Sequence, residues 1–196
     1  MPETRLIAPL SDRFVLATSR ACLWHRDQAR KGTQIPYVSH VFSVAALTLE
    51  YGGDEDCAIA ALLHDAVEDG GGPARLAQIR REFGEQVAAI VAACTDSDVQ
   101  PKPPWPQRKQ AYIDHVAEKS AESRLVSACD KLHNARSILS DVRELGDAAF
   151  ERFKGGKVGT LWYYRKLVDA FLLHGRSRLL DELERVVTEL ERLTAG

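Results

Sequence analysis

The run Ala60-Ala61-Leu62-Leu63-His64-Asp65-Ala66-Val67-Glu68-Asp69-Gly70 constrains this chain more than any other. Four ionisable groups fall within six residues, directly after the apolar stretch 57–63. A fold that buries the stretch must solvate the carboxylates, pair them or bind them to a cation, because uncompensated buried charge is costly. At about 100° per residue, with His64 at zero, Glu68 falls at roughly 40°, Asp65 at roughly 100° and Asp69 at roughly 140°. Ile59, Leu62, Leu63, Ala66 and Val67 fill the remaining arc. One acidic, imidazole-bearing face therefore opposes one core face. In isolation, an amphipathic helix with its charged side in water gives the same pattern, so the rest of the chain decides.

Helical periodicity continues on both sides of this run. Helices are expected at 12–30 with Ser11 as cap, from Pro36 to Tyr51, from an Asp54 cap to Gly70, from Pro73 to near Gly84, and at 85–94. Further helices are expected at 107–118, 123–145, 158–174 and 177–193. The segment 96–106 carries four prolines and reads as the one long loop. No alternating strand pattern is present. The expectation is one all-α domain, a bundle of about eight to ten helices over 1–196, with a motif-bearing core at about 20–175 and a C-terminal helix at 177–193.

Net charge is −2, so no global basic footprint marks a partner among nucleic acids or anionic membranes. An anionic ligand would have to meet a local cluster of Arg and Lys. Cys22, Cys57, Cys94 and Cys129 have neither disulfide-framework nor zinc spacing and read as buried free thiols. No apolar run approaches the ~18 residues of a membrane span. The expected location is cytoplasmic.

Two further segments place polar groups at helix positions. Pro36-Tyr37-Val38-Ser39-His40 sits in a first turn. Asp130, Asn134 and Ser137 form one stripe, at 0°, about 40° and about −20°. Together His40, His64, Asp65 and Asp130 supply two imidazoles and two carboxylates. That mixed donor set suits a divalent metal such as Mn²⁺, with Zn²⁺, Fe²⁺ or Co²⁺ as alternatives. Fewer than six protein ligands leave positions open for water and a substrate oxygen. His25, His115, His133 and His174 are read as ordinary histidines.

This H…HD…D pattern resembles the HD phosphohydrolase superfamily, and more narrowly the hydrolase domain of the Rel/Spo homologues and the stand-alone small alarmone hydrolases. The residues that carry the narrower match are Arg30-Lys31-Gly32 with Pro36-Tyr37-x-x-His40, then His64-Asp65-x-x-Glu68-Asp69, then Asp130-Lys131-Leu132-His133-Asn134-x-Arg136-Ser137. The match runs from about Arg20 to Arg165.

The resemblance implies that His40, His64, Asp65 and Asp130 hold one Mn²⁺ and that Glu68 and Asp69 orient or activate the attacking water. It implies that Arg30 and Lys31 flank a purine base and that Asn134 and Ser137 contact the nucleotide. The implied reaction is release of pyrophosphate from the 3′ position of (p)ppGpp, leaving GDP or GTP. The substrate is highly anionic, so Lys102, Arg108, Lys109, Arg136 and the pair Arg165-Lys166 are candidate contacts. A hydrolase-only protein, monomer or homodimer, is expected. The same chemistry on (p)ppApp, a phosphatase acting on NADPH or nucleoside monophosphates, and an inactive nucleotide-binding module remain open alternatives.

Overall fold

The helix that leads into the motif is buried on every side: in α3 (Glu55–Leu63) each residue from Cys57 to Leu63 is at most 2% exposed. Such a helix must sit inside others rather than on a surface. In the computed structural model, which describes residues 9–95, 101 and 103–195, it does. Around it pack α1 (Asp12–Trp24), α2 (Val38–Glu50), α5 (Glu85–Cys94) and α7 (Ala121–Leu145). The Asp54 carboxylate caps α3 by accepting from the Cys57 N–H at 2.9 Å, a contact worth about 1 kcal/mol in typical helices.

The remaining helices are α4 (Gly72–Phe83), α6 (Trp105–Asp114), α8 (Gly156–Leu172) and α9 (Arg178–Thr194). Among the described residues, nine α-helices account for the all-α reading and the lone β-bridge joins Ala29 and Pro36. The twenty-five-residue α7 is the spine, touching α2, α3, α5 and α9. The apolar stripe of α9 (Leu179, Leu183, Val186, Val187, Leu190) is buried against α7 and α8 and so belongs to the core. Each fully buried leucine contributes about 1.5–3 kcal/mol by leaving water.

Four expectations are corrected. The first helix ends at Trp24, not near Arg30, because the backbone of the following segment pairs with itself: Arg30 N–H donates to the Ile35 carbonyl at 2.8 Å and Tyr37 N–H to the Gln28 carbonyl at 2.9 Å. The third helix stops at Leu63 rather than Gly70. A turn and a π-type segment (Val67–Gly71) follow, released by Gly70 at φ 153° and Gly72 at φ 48°, backbone states that side chains with a Cβ resist. Helix α6 starts at Trp105, because Pro106 in a first turn has no N–H to lose. Residues 96–100 and 102 of the proline-rich stretch, Lys102 included, lie outside the described residues. Cys22 is exposed and Cys94 half-buried, whereas Cys57 and Cys129 are buried.

Candidate metal centre and cavity

Helices α2, α3 and α7 converge where His40, His64 and Asp130 meet. His40 lies in the first turn of α2, His64 immediately after α3, and Asp130 midway along α7. The buried faces of these helices fix the meeting point, since both imidazoles are at most 1% exposed. His64 Nε2 stands 3.0 Å from Asp65 Oδ2 and 3.7 Å from Asp130 Oδ1. His40 Nε2 stands 3.5 Å from Asp65 Oδ2 and 3.3 Å from Asp130 Oδ1. Donor atoms of His40, His64 and Asp65 all lie within 4.8 Å of one another, a spacing that can hold a metal ion.

The tautomers support that use. His64 Nδ1–H donates to the Ala61 carbonyl at 2.8 Å, which turns Nε2 toward the carboxylates and makes it the nitrogen a metal would take. His40 Nδ1 faces His133 Nδ1 at 2.8 Å. Both Nε2 atoms are buried without a well-aligned hydrogen-bond partner. Orphaned buried nitrogens are costly, and a cation between them and two carboxylates removes the cost.

The electrostatics are coupled. Burial works against charge on Asp65 and Asp130. It is outweighed at Asp65 by His64 and His40, and at Asp130 by Lys131 and the same two imidazoles, so both carboxyls sit well below their usual range. Burial likewise opposes charge on His64, yet the adjacent carboxylates raise it well above an ordinary imidazole. Asp130 is tied on both oxygens: Lys131 Nζ donates to Oδ2 at 2.6 Å and Asn134 Nδ2 to Oδ1 at 2.5 Å. Tyr37 OH donates to Asp65 Oδ2 at 2.5 Å.

Beside this centre lies a cavity of about 550 Å³. Among the described residues its wall includes Arg30, Lys31, Arg108, Lys109, Lys131, Arg152 and Lys154 against two carboxylates, Glu68 and Asp141, so it suits a polyanion. Asn134 and Ser137 line the same wall. Arg30 Nη2 donates to Asn134 Oδ1 at 2.8 Å and reaches Ser137 Oγ at 3.4 Å. Lys109 Nζ stands 4.8 Å over the Tyr163 ring, and burial with the neighbouring Lys131 and Arg108 lowers its pKa to about 7. A floor of Trp105, Phe153, Tyr163 and Tyr164 offers aromatic surface.

After the break that follows Leu63, the two acids meet different surroundings. Glu68 faces the cavity. Asp69 keeps a backbone bond from its N–H to the Asp65 carbonyl at 2.9 Å, and its side chain accepts from Gln28. Burial and the nearby Asp65 raise the Asp69 pKa, with the Gln28 contact opposing them.

Three cations expected near the ligand stand elsewhere, among them Lys166, which is 3.8 Å from Asp169 and does not line the cavity. Arg136 pairs with Glu182 at 3.2 Å on the α9 side, and Arg165 is forked onto Glu191. Neither lines the cavity. Helix geometry explains Arg136, which follows Ala135 and points away from the Asp130–Asn134–Ser137 stripe. Tyr37, Lys131, His133 and Gln28 form part of the centre, although sequence reasoning assigned them no role. Three of them lie inside the quoted motifs, and Gln28 lies two residues before Arg30.

Comparison with known proteins identifies the family and several relatives. The HD domain family model matches residues 17–153. The chain is 37% identical over 117 residues to a Xenopus tropicalis protein named guanosine-3′,5′-bis(diphosphate) 3′-pyrophosphohydrolase MESH1, covering 58% of this chain and 63% of that one. It is 36% identical over 131 residues to the Drosophila melanogaster protein of the same name, covering 65% and 70%. The match thus spans under two thirds of the frog protein. A solved structure described as a metazoan ortholog of SpoT that hydrolyzes ppGpp superimposes with a TM-score of 0.72 at 28% identity, over 94% of this chain and 97% of that one.

Proposed function

The chain belongs to the HD domain family, and from that premise we propose that it is a metal-dependent hydrolase that removes the 3′-pyrophosphate of (p)ppGpp. The observation that carries the reading is the pair of buried, unpartnered Nε2 atoms of His40 and His64, facing two carboxylates beside a cation-lined cavity. The printed names of the relatives point to the same substrate. In this reading residues 1–196 form one hydrolase domain of a cytoplasmic protein, monomer or homodimer.

His40, His64, Asp65 and Asp130 would hold the ion, with Mn²⁺ the choice for a mixed nitrogen and oxygen set. The ion would supply Lewis acidity and a lowered water pKa. Glu68 and Asp69 orient the attacking water and take its proton; the raised pKa of Asp69 suits a proton acceptor. Water oxygen bonds to the phosphorus attached to O3′, the O3′–P bond breaks, pyrophosphate leaves and O3′ gains a proton. Arg30 and Lys31 flank the base, Asn134 and Ser137 hold the nucleoside, and Lys109 meets phosphate oxygens. Chromatography of the products from ppGpp, ppApp and NADPH in the presence of Mn²⁺ tests this. Pyrophosphate from ppGpp is expected; orthophosphate as the only phosphorus product would sink the proposal.

A further inference from the structure

Residues 25–37, between α1 and α2, reach both acids that flank the motif turn. Tyr37 holds Asp65, and Gln28 Nε2 donates to Asp69 Oδ2 at 2.7 Å. Gln28 is itself held from behind. Its Oε1 accepts from His25 Nδ1 at 2.7 Å, and the His25 ring is 2% exposed and packs 5.1 Å from the Tyr37 ring. The Gln28 backbone is pinned as well, its N–H to the His25 carbonyl and its carbonyl to the Tyr37 N–H.

A carboxamide is nearly symmetric in shape but not in chemistry. The Asp69 carboxylate only accepts, so Gln28 must present its NH₂ to it. The Gln28 oxygen then needs a donor on its other side, and His25 Nδ1–H is that donor. The contacts run in one direction, from His25 through Gln28 to Asp69. Reversing the amide would set oxygen against carboxylate and leave the imidazole N–H facing NH₂. Neither His25 nor Gln28 lines the cavity.

We infer that His25 and Gln28 are positioning residues, a directed donor relay that fixes the Asp69 carboxylate for its part in hydrolysis. The inference rests on the 3′-pyrophosphohydrolase reading above. It is tested with Gln28→Leu, Gln28→Glu, His25→Leu and His25→Asn, using ppGpp and Mn²⁺. Loss of the amide donor (both Gln28 variants) or of its orienter (His25→Leu) should lower kcat about 10–100-fold, with KM and bound metal close to wild type. His25→Asn, which restores an N–H near the Nδ1 position, should recover most of the His25→Leu loss. A merely structural role for a buried ring would leave His25→Asn as impaired as His25→Leu.

A second readout needs no turnover. Crystal structures should show Asp69 in one conformer on Gln28 in the wild type and displaced in Gln28→Leu. Wild-type protein inert toward ppGpp would overturn the functional reading, while the crystal comparison would still decide the relay. Full kcat in both Gln28 variants, no recovery in His25→Asn, or an unmoved Asp69 in Gln28→Leu would each overturn the relay.

Discussion

His40 Nδ1 and His133 Nδ1 face each other at 2.8 Å. Burial, His40 and Arg30 lower the His133 pKa to about 4, so near neutral pH His133 is uncharged and can accept; a His40 whose Nε2 lone pair binds a metal carries its proton on Nδ1 and donates it to that contact. That tautomer turns the His40 Nε2 lone pair toward Asp65 and Asp130. His133→Leu should therefore weaken divalent metal binding about 10–100-fold. His133→Asn, with an amide oxygen near the Nδ1 position, should stay within a few-fold of wild type. Chelator competition measures both, and equal affinity in all three proteins would remove this role.

Holding the ion and handling the water separate by mutation. Asp65→Ala should abolish both metal retention and turnover, because Asp65 Oδ2 faces both imidazoles. Glu68→Gln should keep its metal and lose about 10²–10⁴ in kcat. Elemental analysis beside kinetics distinguishes the two, and wild-type turnover in either variant would contradict the assignment.

Lys109 sets a pH dependence. Its pKa lies at about 7, below that of a free lysine, because burial and neighbouring cations disfavour its charge. As pH rises through that value the cavity loses a positive charge, so KM for a polyanionic nucleotide should rise from about pH 6 to pH 8. Bound phosphate pulls the pKa back up, which leaves kcat less affected than KM. Lys109→Met should show a high KM that no longer climbs over this range.

Trp105 leans on the two glycines at the start of α8. A Cβ at Gly155 would come within 2.7 Å of the Trp105 ring, and one at Gly159 within 3.1 Å. Gly155→Ala should therefore push the indole into the cavity that it lines. The expected result is a loss of about 1–3 kcal/mol in stability and a raised KM. Thermal melts and steady-state kinetics check both, and an unchanged KM would place the indole's displacement elsewhere.

Arg136 and Arg165 provide the contrast. Each is committed to a glutamate on α9, away from the cavity. Arg136→Ala and Arg165→Ala should leave kcat/KM within about twofold, and exposed pairs of this kind contribute about 0–1 kcal/mol to stability. A tenfold loss of kcat/KM in either would show that it reaches the nucleotide after all.

The all-α architecture, the caps at Ser11 and Asp54, and the buried stretch before His64 were legible in the residues because each depends on local spacing. So was the Asp130–Asn134–Ser137 stripe, which α7 preserves by running unbroken through all three. Helical-wheel reasoning went astray where the helix itself ends. It carried α3 through His64–Asp69 and α1 through Gln28, and so missed that Gln28 returns to meet Asp69. Residue type alone could not sort the cations either: Lys109 lines the cavity and Arg165 is held on Glu191 because of what packs beside each.

The order of residues along the chain therefore settles which helices form and which faces are apolar, because period and capping are short-range properties. Convergence of His40, His64, Asp65 and Asp130 belongs to the packed molecule. These residues stand up to ninety positions apart in the sequence, and only the burial of α2, α3 and α7 against one another closes them to 3.0–3.7 Å. The turn that puts Glu68 on the cavity wall and Asp69 on Gln28 is likewise tertiary: residues 25–37 fold back to supply the partners of Asp65 and Asp69.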